Sequence, residues 1–281
     1  SGVATILYST DGTEPTSPYL SPFVVSADGV TEVRFAAIDI KGNREQTRST
    51  LVRVDTVAPS TSASGFTDGA WRTTPASVSL AAADDFSGVA ATYLTVGAGA
   101  EAPYADPVGV SAEGTTTISF RSVDVAGNAE APKSATIKID TVAPTTTSDV
   151  EAIYVDDAQI ALHGSDGVSG VASTTYSLDG SVWSEGTEIS LGEPGVHSLS
   201  YRSADVAGNV EATHDAAFTL YDRTEQTEQK FRYNGTWSTN AHTSASGGSH
   251  KVSRASGAWA EVAFSGPAVR LVAATGPCYG I

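Results

Sequence analysis

The stretch Phe120–Glu130, FRSVDVAGNAE, returns as YRSADVAGNVE over Tyr201–Glu211 and, more loosely, as RFAAIDIKGNRE over Arg34–Glu45. Each copy runs an alternating apolar segment into Asp-x-x-Gly-Asn-x-Glu. That is a strand ending in a turn, because Asp and Asn bond their own backbone and Gly supplies positive φ. A second marker, Ser-Gly-Val-Ala, opens at Ser1, Ser87 and Ser169, in steps of 86 (1 to 87) and 82 (87 to 169) residues. A third, Val-Asp-Thr-Val-Ala-Pro at Val54–Pro59, returns with Ile in first place at Ile139–Pro144, 85 residues on (54 to 139). Three markers at one spacing mean a repeated domain. The period is too long for a solenoid unit and close to the ~100 residues of a small β-sandwich.

Composition narrows the function classes. Hydrophobic residues are 40% and aromatics 8% of 281, enough to build cores. Acidic residues number 32 against 16 basic ones, a formal net charge of −16. Nucleic-acid binding rests on clustered Lys and Arg and is excluded by this balance; an anionic membrane surface is repelled by the same field. No stretch approaches the roughly 18 apolar residues of a membrane helix, so no direct membrane insertion is expected. The one cysteine, Cys278, pairs with nothing, and stability must come from packing.

Taken in order, residues 1–59 read as an incomplete repeat. Repeat two has 27 residues (60 to 86) ahead of its Ser-Gly-Val-Ala and repeat one has none, so Ser1 falls inside a domain. ATILYST alternates like a strand, and Asp11-Gly12-Thr13-Glu14-Pro15 is a turn. FVVSADG predicts another short strand, TEVRFAAID a long one with Val33, Phe35 and Ala37 on one face, and LVRVD closes the unit. Residues 60–144 are a complete repeat: ASVSLAAAD, VAATYLTV, a short strand near Val108, TTTISFRSVD and SATIKID are strands separated by Gly, Asp and Pro turns. Residues 145–222 are the third repeat. Pro59 and Pro144 stiffen the junctions, predicting a monomeric rod. After Asp222 the character changes. Residues 223–281 alternate again around Trp237, Trp259 and Phe264, too short for the eight strands of a jelly roll. The fold class expected is all-β: tandem Ig-like sandwiches followed by a partial jelly roll.

Three stretches carry family resemblances. YSTDGTEPT and the strands after it resemble the C-terminal accessory domain of chitobiase and β-hexosaminidase enzymes, which implies an Ig-like sandwich without catalytic residues. Tyr176-Ser177-Leu178-Asp179-Gly180, Trp183, the Gly195–Leu199 strand and the Asp205–Asn209 turn resemble the bacterial surface Ig-like repeat family first named for a spirochaete outer-membrane protein. That resemblance implies a tandem extracellular or cell-surface module. Gly235-Thr236-Trp237, GGSHKVS and AEVAFSG look like the first half of a jelly roll attached to secreted polysaccharide-active proteins.

Two constellations could carry chemistry. If the loop after the second strand and the last hairpin share one end of a sandwich, Asp84 and Asp85 meet Asp124, Asn128 and Glu130; in the third repeat Asp166 meets Asp205, Asn209 and Glu211. Converging carboxylate and amide oxygens suit calcium, which takes six to eight of them, whereas the plainer reading is turn chemistry alone. Tyr233, Trp237 and Trp259 could stack on sugar rings, against the plainer reading of core anchors; Trp183 is a weaker candidate. The five histidines show no ligand spacing, and neither a Gly-x-Ser-x-Gly elbow nor a phosphate loop is present. The expected function is therefore a non-enzymatic spacer, stalk or interaction region of a secreted or cell-surface bacterial protein, with glycan or a host-surface protein as partner. The alternative is a carbohydrate-binding accessory region of a secreted glycoside hydrolase.

Overall fold

The computed structural model describes residues 2–223, 231–241 and 249–263, and among them every regular element is a β-strand. The chain divides into two units, Ser1–Thr141 and Val142–Ile281.

The complete sandwich of the first unit spans residues 60–139. Its strands are β5 (Ser60–Ser64), β6 (Trp71–Arg72), β7 (Ala76–Ala83), β8 (Val89–Val96), β9 (Ala102–Pro103), β10 (Val108–Val110), β11 (Gly114–Asp124) and β12 (Lys133–Ile139). One sheet has the order β10-β7-β5 and the other β6-β12-β11-β8-β9. Strand β11 alternates strictly, so Ile118, Phe120, Ser122 and Asp124 face inward. Val78, Leu94, Ile137 and Ile139 complete the core from both sheets, and burying an Ile such as Ile118 contributes about 2–3 kcal/mol. The first edge of the module changes sheets: β5 pairs antiparallel with β7, whereas β6 pairs parallel with β12. Gly65 makes that crossing at φ 92°, and a Cβ there would stand 1.9 Å from the Ser77 carbonyl oxygen, so only glycine fits.

The second unit repeats the plan. Its strands are β13 (Thr145–Ser148), β14 (Ile153–Val155), β15 (Ala158–Ser165), β16 (Val171–Leu178), β17 (Ser184–Glu185), β18 (Glu188–Leu191), β19 (Gly195–Asp205) and β20 (His214–Tyr221). They form sheets ordered β13-β15-β18 and β14-β20-β19-β16-β17, again with a parallel pair, β14 with β20. Ile160, Leu162, Leu199, Phe218 and Leu220 fill the core, and Tyr154 meets Phe218 edge-on at 5.5 Å.

The first module is half a sandwich. Strands β1 (Val3–Ser9), β2 (Ser17–Pro18), β3 (Gly29–Asp39) and β4 (Arg48–Val54) form one sheet, ordered β2-β1-β3-β4. The strand expected at FVVS is not formed: Phe23–Ser26 runs without regular structure. The reason lies in pairing. Its counterpart β10 is held by β7, and the first module has no β7 among its strands.

Past the third module, β21 (Phe231–Asn234) pairs with β24 (Trp259–Val262) and β22 (Ser238–Ala241) with β23 (Ser249–Val252), both antiparallel. Among the described residues this region therefore shows four strands in two separate ribbons. Phe264, His242 and Cys278 lie outside the described residues.

Candidate functional site

The site grows from the repeated turn. Asp124 ends β11 and is 2% exposed; its Oδ1 accepts the backbone N–H groups of Gly127 and Asn128 (both 2.7 Å), and its Oδ2 accepts Asn128 Nδ2 at 2.8 Å. Asp205 repeats these contacts with Gly208 and Asn209, and Asp39 does so in part with Lys41 and Asn43. The first duty of the signature is thus to close its own hairpin.

Its second duty is to hold the linker. Asn128 Nδ2 also donates to the Asp55 carbonyl at 3.0 Å, and Asp55 Oδ2 accepts the Ser87 N–H at 2.9 Å. Asp84 Oδ1 accepts the N–H groups of Phe86 (3.1 Å) and Gly88 (2.7 Å). Carboxylate oxygens of Asp55, Asp84 and Asp124 consequently lie within 4.8 Å of one another. They border a shallow cleft of about 230 Å³ lined by Asp28, Gly29, Asp55, Val57, Asp84, Asp85 and Phe86. Among the described residues, Asp28, Asp55, Asp84, Asp85 and Asp124 have no Lys or Arg partner within ion-pair distance. The hydrogen bond from Ser87 holds the Asp55 carboxyl below its usual range, overcoming the opposing effect of burial.

The structure brings Asp84 and Asp124 together as the sequence predicts, leaves Asp85 exposed at the rim, and turns the amide nitrogen of Asn128 toward both Asp124 and the linker. Asp55 was missed. It belongs to the preceding module in sequence, although its place in a repeated six-residue motif was the signal that could have found it. In the third module, Asp166 and Asp205 oxygens approach within the same 4.8 Å, and Asn209 Nδ2 reaches the Val142 carbonyl at 3.4 Å.

Glu130 does not join the acidic cluster. It turns into the sandwich, 9% exposed, where Oε1 accepts the Thr61 N–H of β5 at 2.9 Å and Oε2 the Ser122 N–H of β11 at 3.2 Å. One carboxylate thereby ties the two sheets together. Hydroxyls of Thr61, Ser122 and Thr92 form a chain beside it at 2.7 and 2.9 Å, and Lys133 Nζ stands 2.5 Å from Oε1. Burial pushes the Glu130 carboxyl up, but the hydrogen bonds from Lys133 and Thr61 outweigh it and the net displacement is downward. Glu211 repeats the arrangement with the Thr146 N–H and hydroxyl, the Ser203 N–H and His214. Its shift has the same sign, burial opposing and the Thr146 hydrogen bonds prevailing.

The aromatic candidates divide. Tyr233 and Trp237 are half-buried neighbours with ring centroids 5.2 Å apart, and the Trp237 indole N–H donates to the Asn234 carbonyl. Burial pushes the Tyr233 phenol up. Trp259 is 47% exposed and stands opposite Asn234 in register. Trp183, on the third module, stacks under the Arg202 guanidinium at 4.6 Å.

Residues 1–49 match the model of the chitobiase/β-hexosaminidase C-terminal domain. No curated protein matches the chain. Among solved structures, the fibronectin(III)-like modules of Clostridium thermocellum CbhA align over 58% of this chain and 95% of theirs, at 12% identity and TM-score 0.33. The D00-D0 domain of intimin aligns over 58% and 100%, at 13% and 0.31. The FN1-FN3 domains of chicken CNTN1 align over 76% and 91%, at 12% and 0.26.

Proposed function

We propose that the chain is a non-catalytic spacer region of a secreted or cell-surface bacterial protein, in which Ig-like modules hold a distal partner at a set distance. The observation that carries this reading is the pinned linker: Asp55 is hydrogen-bonded through both its carboxylate and its carbonyl to the module that follows it. A freely hinged joint would leave those groups to water. The test is a double substitution, Asp55→Ala with Asn128→Ala, followed by small-angle scattering and backbone relaxation on the 281-residue chain. Broader inter-module motion with unchanged circular dichroism supports the reading; unchanged scattering and relaxation overturn it.

Calcium is our proposed ligand for the same joint. Three converging carboxylates without a basic neighbour suit a hard cation. Asp55, Asp84 and Asp124 would hold the ion, and it would supply the positive charge that the cleft lacks. A melting temperature insensitive to chelator and to added calcium would dispose of the idea.

A second reading rests on exposed Trp259 beside the Tyr233–Trp237 pair and on the name of the family matched by residues 1–49. In it the C-terminal ribbons touch glycan, as part of a secreted glycoside hydrolase. Titration with a panel of soluble polysaccharides, read by tryptophan fluorescence in wild type and Trp259→Ala, separates the two.

A further inference from the structure

We infer that Arg202 and Trp183, on the outer face of the larger sheet of the third module, form a binding site for the carboxylate of an acidic sugar, a hexuronate carried on a polysaccharide. The site lies wholly within the third module and is independent of the pinned linker and of the C-terminal ribbons. The second module supplies the comparison, because it holds the same arginine with the place of the ligand already taken.

Register fixes the equivalence. In β19 the buried Leu199, Ser203 and Asp205 face inward, so Arg202 faces outward. It stands opposite Thr175 of β16, as Arg121 of β11 stands opposite Tyr93 of β8. Thr175 pairs in turn with Glu185 of β17, and Tyr93 with Pro103 of β9. The residues immediately ahead of these two edge strands, Trp183 and Glu101, therefore correspond.

In the second module Glu101 forks the arginine. Its Oε1 and Oε2 accept Arg121 Nε and Nη2 at 2.7 and 2.8 Å. Tyr93 lies against the same guanidinium, with its ring centroid 5.0 Å from Cζ. An arginine on this face is thus stacked and forked at once, since stacking uses its plane and forking uses its edge.

The third module keeps the stack and lacks the fork. Trp183 holds the half-buried Arg202 at 4.6 Å. No Asp or Glu among the described residues comes within ion-pair distance of this guanidinium. Glu185 is two strands away on the same face, about 10 Å by strand spacing. Asp215 instead accepts the Ser200 hydroxyl at 2.6 Å. The ring already orders the Arg202 side chain, which lowers the entropy cost of accepting a planar anion on its edge.

The second module shows what that edge takes, and the surroundings specify what carries it. Trp183 is 38% exposed and Val182 beside it 87%, an apolar shoulder next to the cation. A hexuronate presents a C–H face and a carboxylate on one rigid ring, so it meets the shoulder and the fork together. An aspartate or glutamate of a partner protein brings its carboxylate on a flexible stem and leaves the shoulder uncovered. The net charge of −16 repels anions at long range, but that field is screened beyond about 8 Å at physiological salt, and the bidentate contact acts well inside it. Arg121 is not a second site, because Glu101 already neutralises it.

The experiment titrates the 281-residue chain with an oligogalacturonate, an alginate oligomer, the oligogalacturonate methyl-esterified at its carboxyls, and an oligoglutamate peptide, read by calorimetry and by amide chemical shifts. At least one acidic sugar should bind, the methyl ester should not, and affinity should fall as salt rises. Arg202→Lys keeps the charge and loses the fork, and should weaken binding by roughly tenfold. Trp183→Glu should abolish binding by supplying the carboxylate from within the chain, and Arg121→Lys should leave it unchanged. Absence of binding by both acidic sugars, equal binding of the methyl ester, or equal affinity of wild type and Arg202→Lys overturns the proposal. So does tighter binding of the oligoglutamate, because a protein carboxylate is then the ligand.

Discussion

The second and third modules hold the same carboxylate between the same two strands with different rim side chains. Lys133 serves Glu130 and His214 serves Glu211, at 2.5 and 3.1 Å, and each of these is more than 40% exposed while each carboxylate is buried. What does not vary is the pair of backbone N–H groups, one from each sheet. The lesson is where the energy sits. A buried acceptor that satisfies two strands is costly to lose, whereas the side chain at its rim is screened by water and exchangeable.

The sharpest way to break the likeness is in the cores. Ile118 and Leu199 are both 0% exposed, and Ile118→Ala and Leu199→Ala should each destabilise their own module by about 3–4 kcal/mol in urea unfolding. Two losses differing by more than about 2 kcal/mol would show that the modules are not packed alike. Next in size, Glu130→Ala and Glu211→Ala each strand two buried N–H groups and should cost about 2–3 kcal/mol. Glu45→Ala, at the same position in the half-sandwich, should cost well under 1 kcal/mol, as exposed polar contacts do.

Acid and base should act on the modules differently. Glu130 and Glu211 have folded-state values below the ordinary 4.5, so their contribution is present above that pH and disappears as pH falls through the depressed folded value. His197 belongs to the third module alone; at its register position the second module has Thr116. Burial lowers its affinity for the proton, but the Asp179 carboxylate at 2.7 Å and the Glu193 carbonyl at 2.9 Å outweigh that and raise it above 6.5. Its contribution is therefore full below pH 6.5 and is lost as pH rises through the raised value. Melting curves between pH 5 and 9 should show the third module, and not the second, losing stability on the alkaline side. His197→Gln should flatten that limb. The effect at the rim is also small: Lys133→Ala and His214→Ala should each change stability by less than about 1 kcal/mol at neutral pH.

Much of this was legible in the chain, and the exceptions share a cause. The alternation of β7, β8, β11 and β12 and the turn at Asp124 are local patterns, readable within ten residues or so. Glu130 is not, because its purpose depends on Thr61, 69 positions away, and a buried glutamate in a turn signature looks like an exposed one. Asp55 escaped for a similar reason, since the cluster it completes lies in the next module. The short strands β5, β6 and β9 carry too few residues for a period. The FVVS segment has strand composition but no ladder to join, which shows that composition proposes a strand and a neighbour makes it.

One feature of both complete modules bears on force. In the second module β6, which follows the entering strand β5, runs parallel to the exiting strand β12, and in the third β14, which follows β13, runs parallel to β20. Tension applied through the two ends of such a module pulls these neighbours in opposite directions along their own length. Their hydrogen bonds are then loaded together in shear and cannot open one at a time like a zipper. A module joined this way should yield late and all at once when it is pulled.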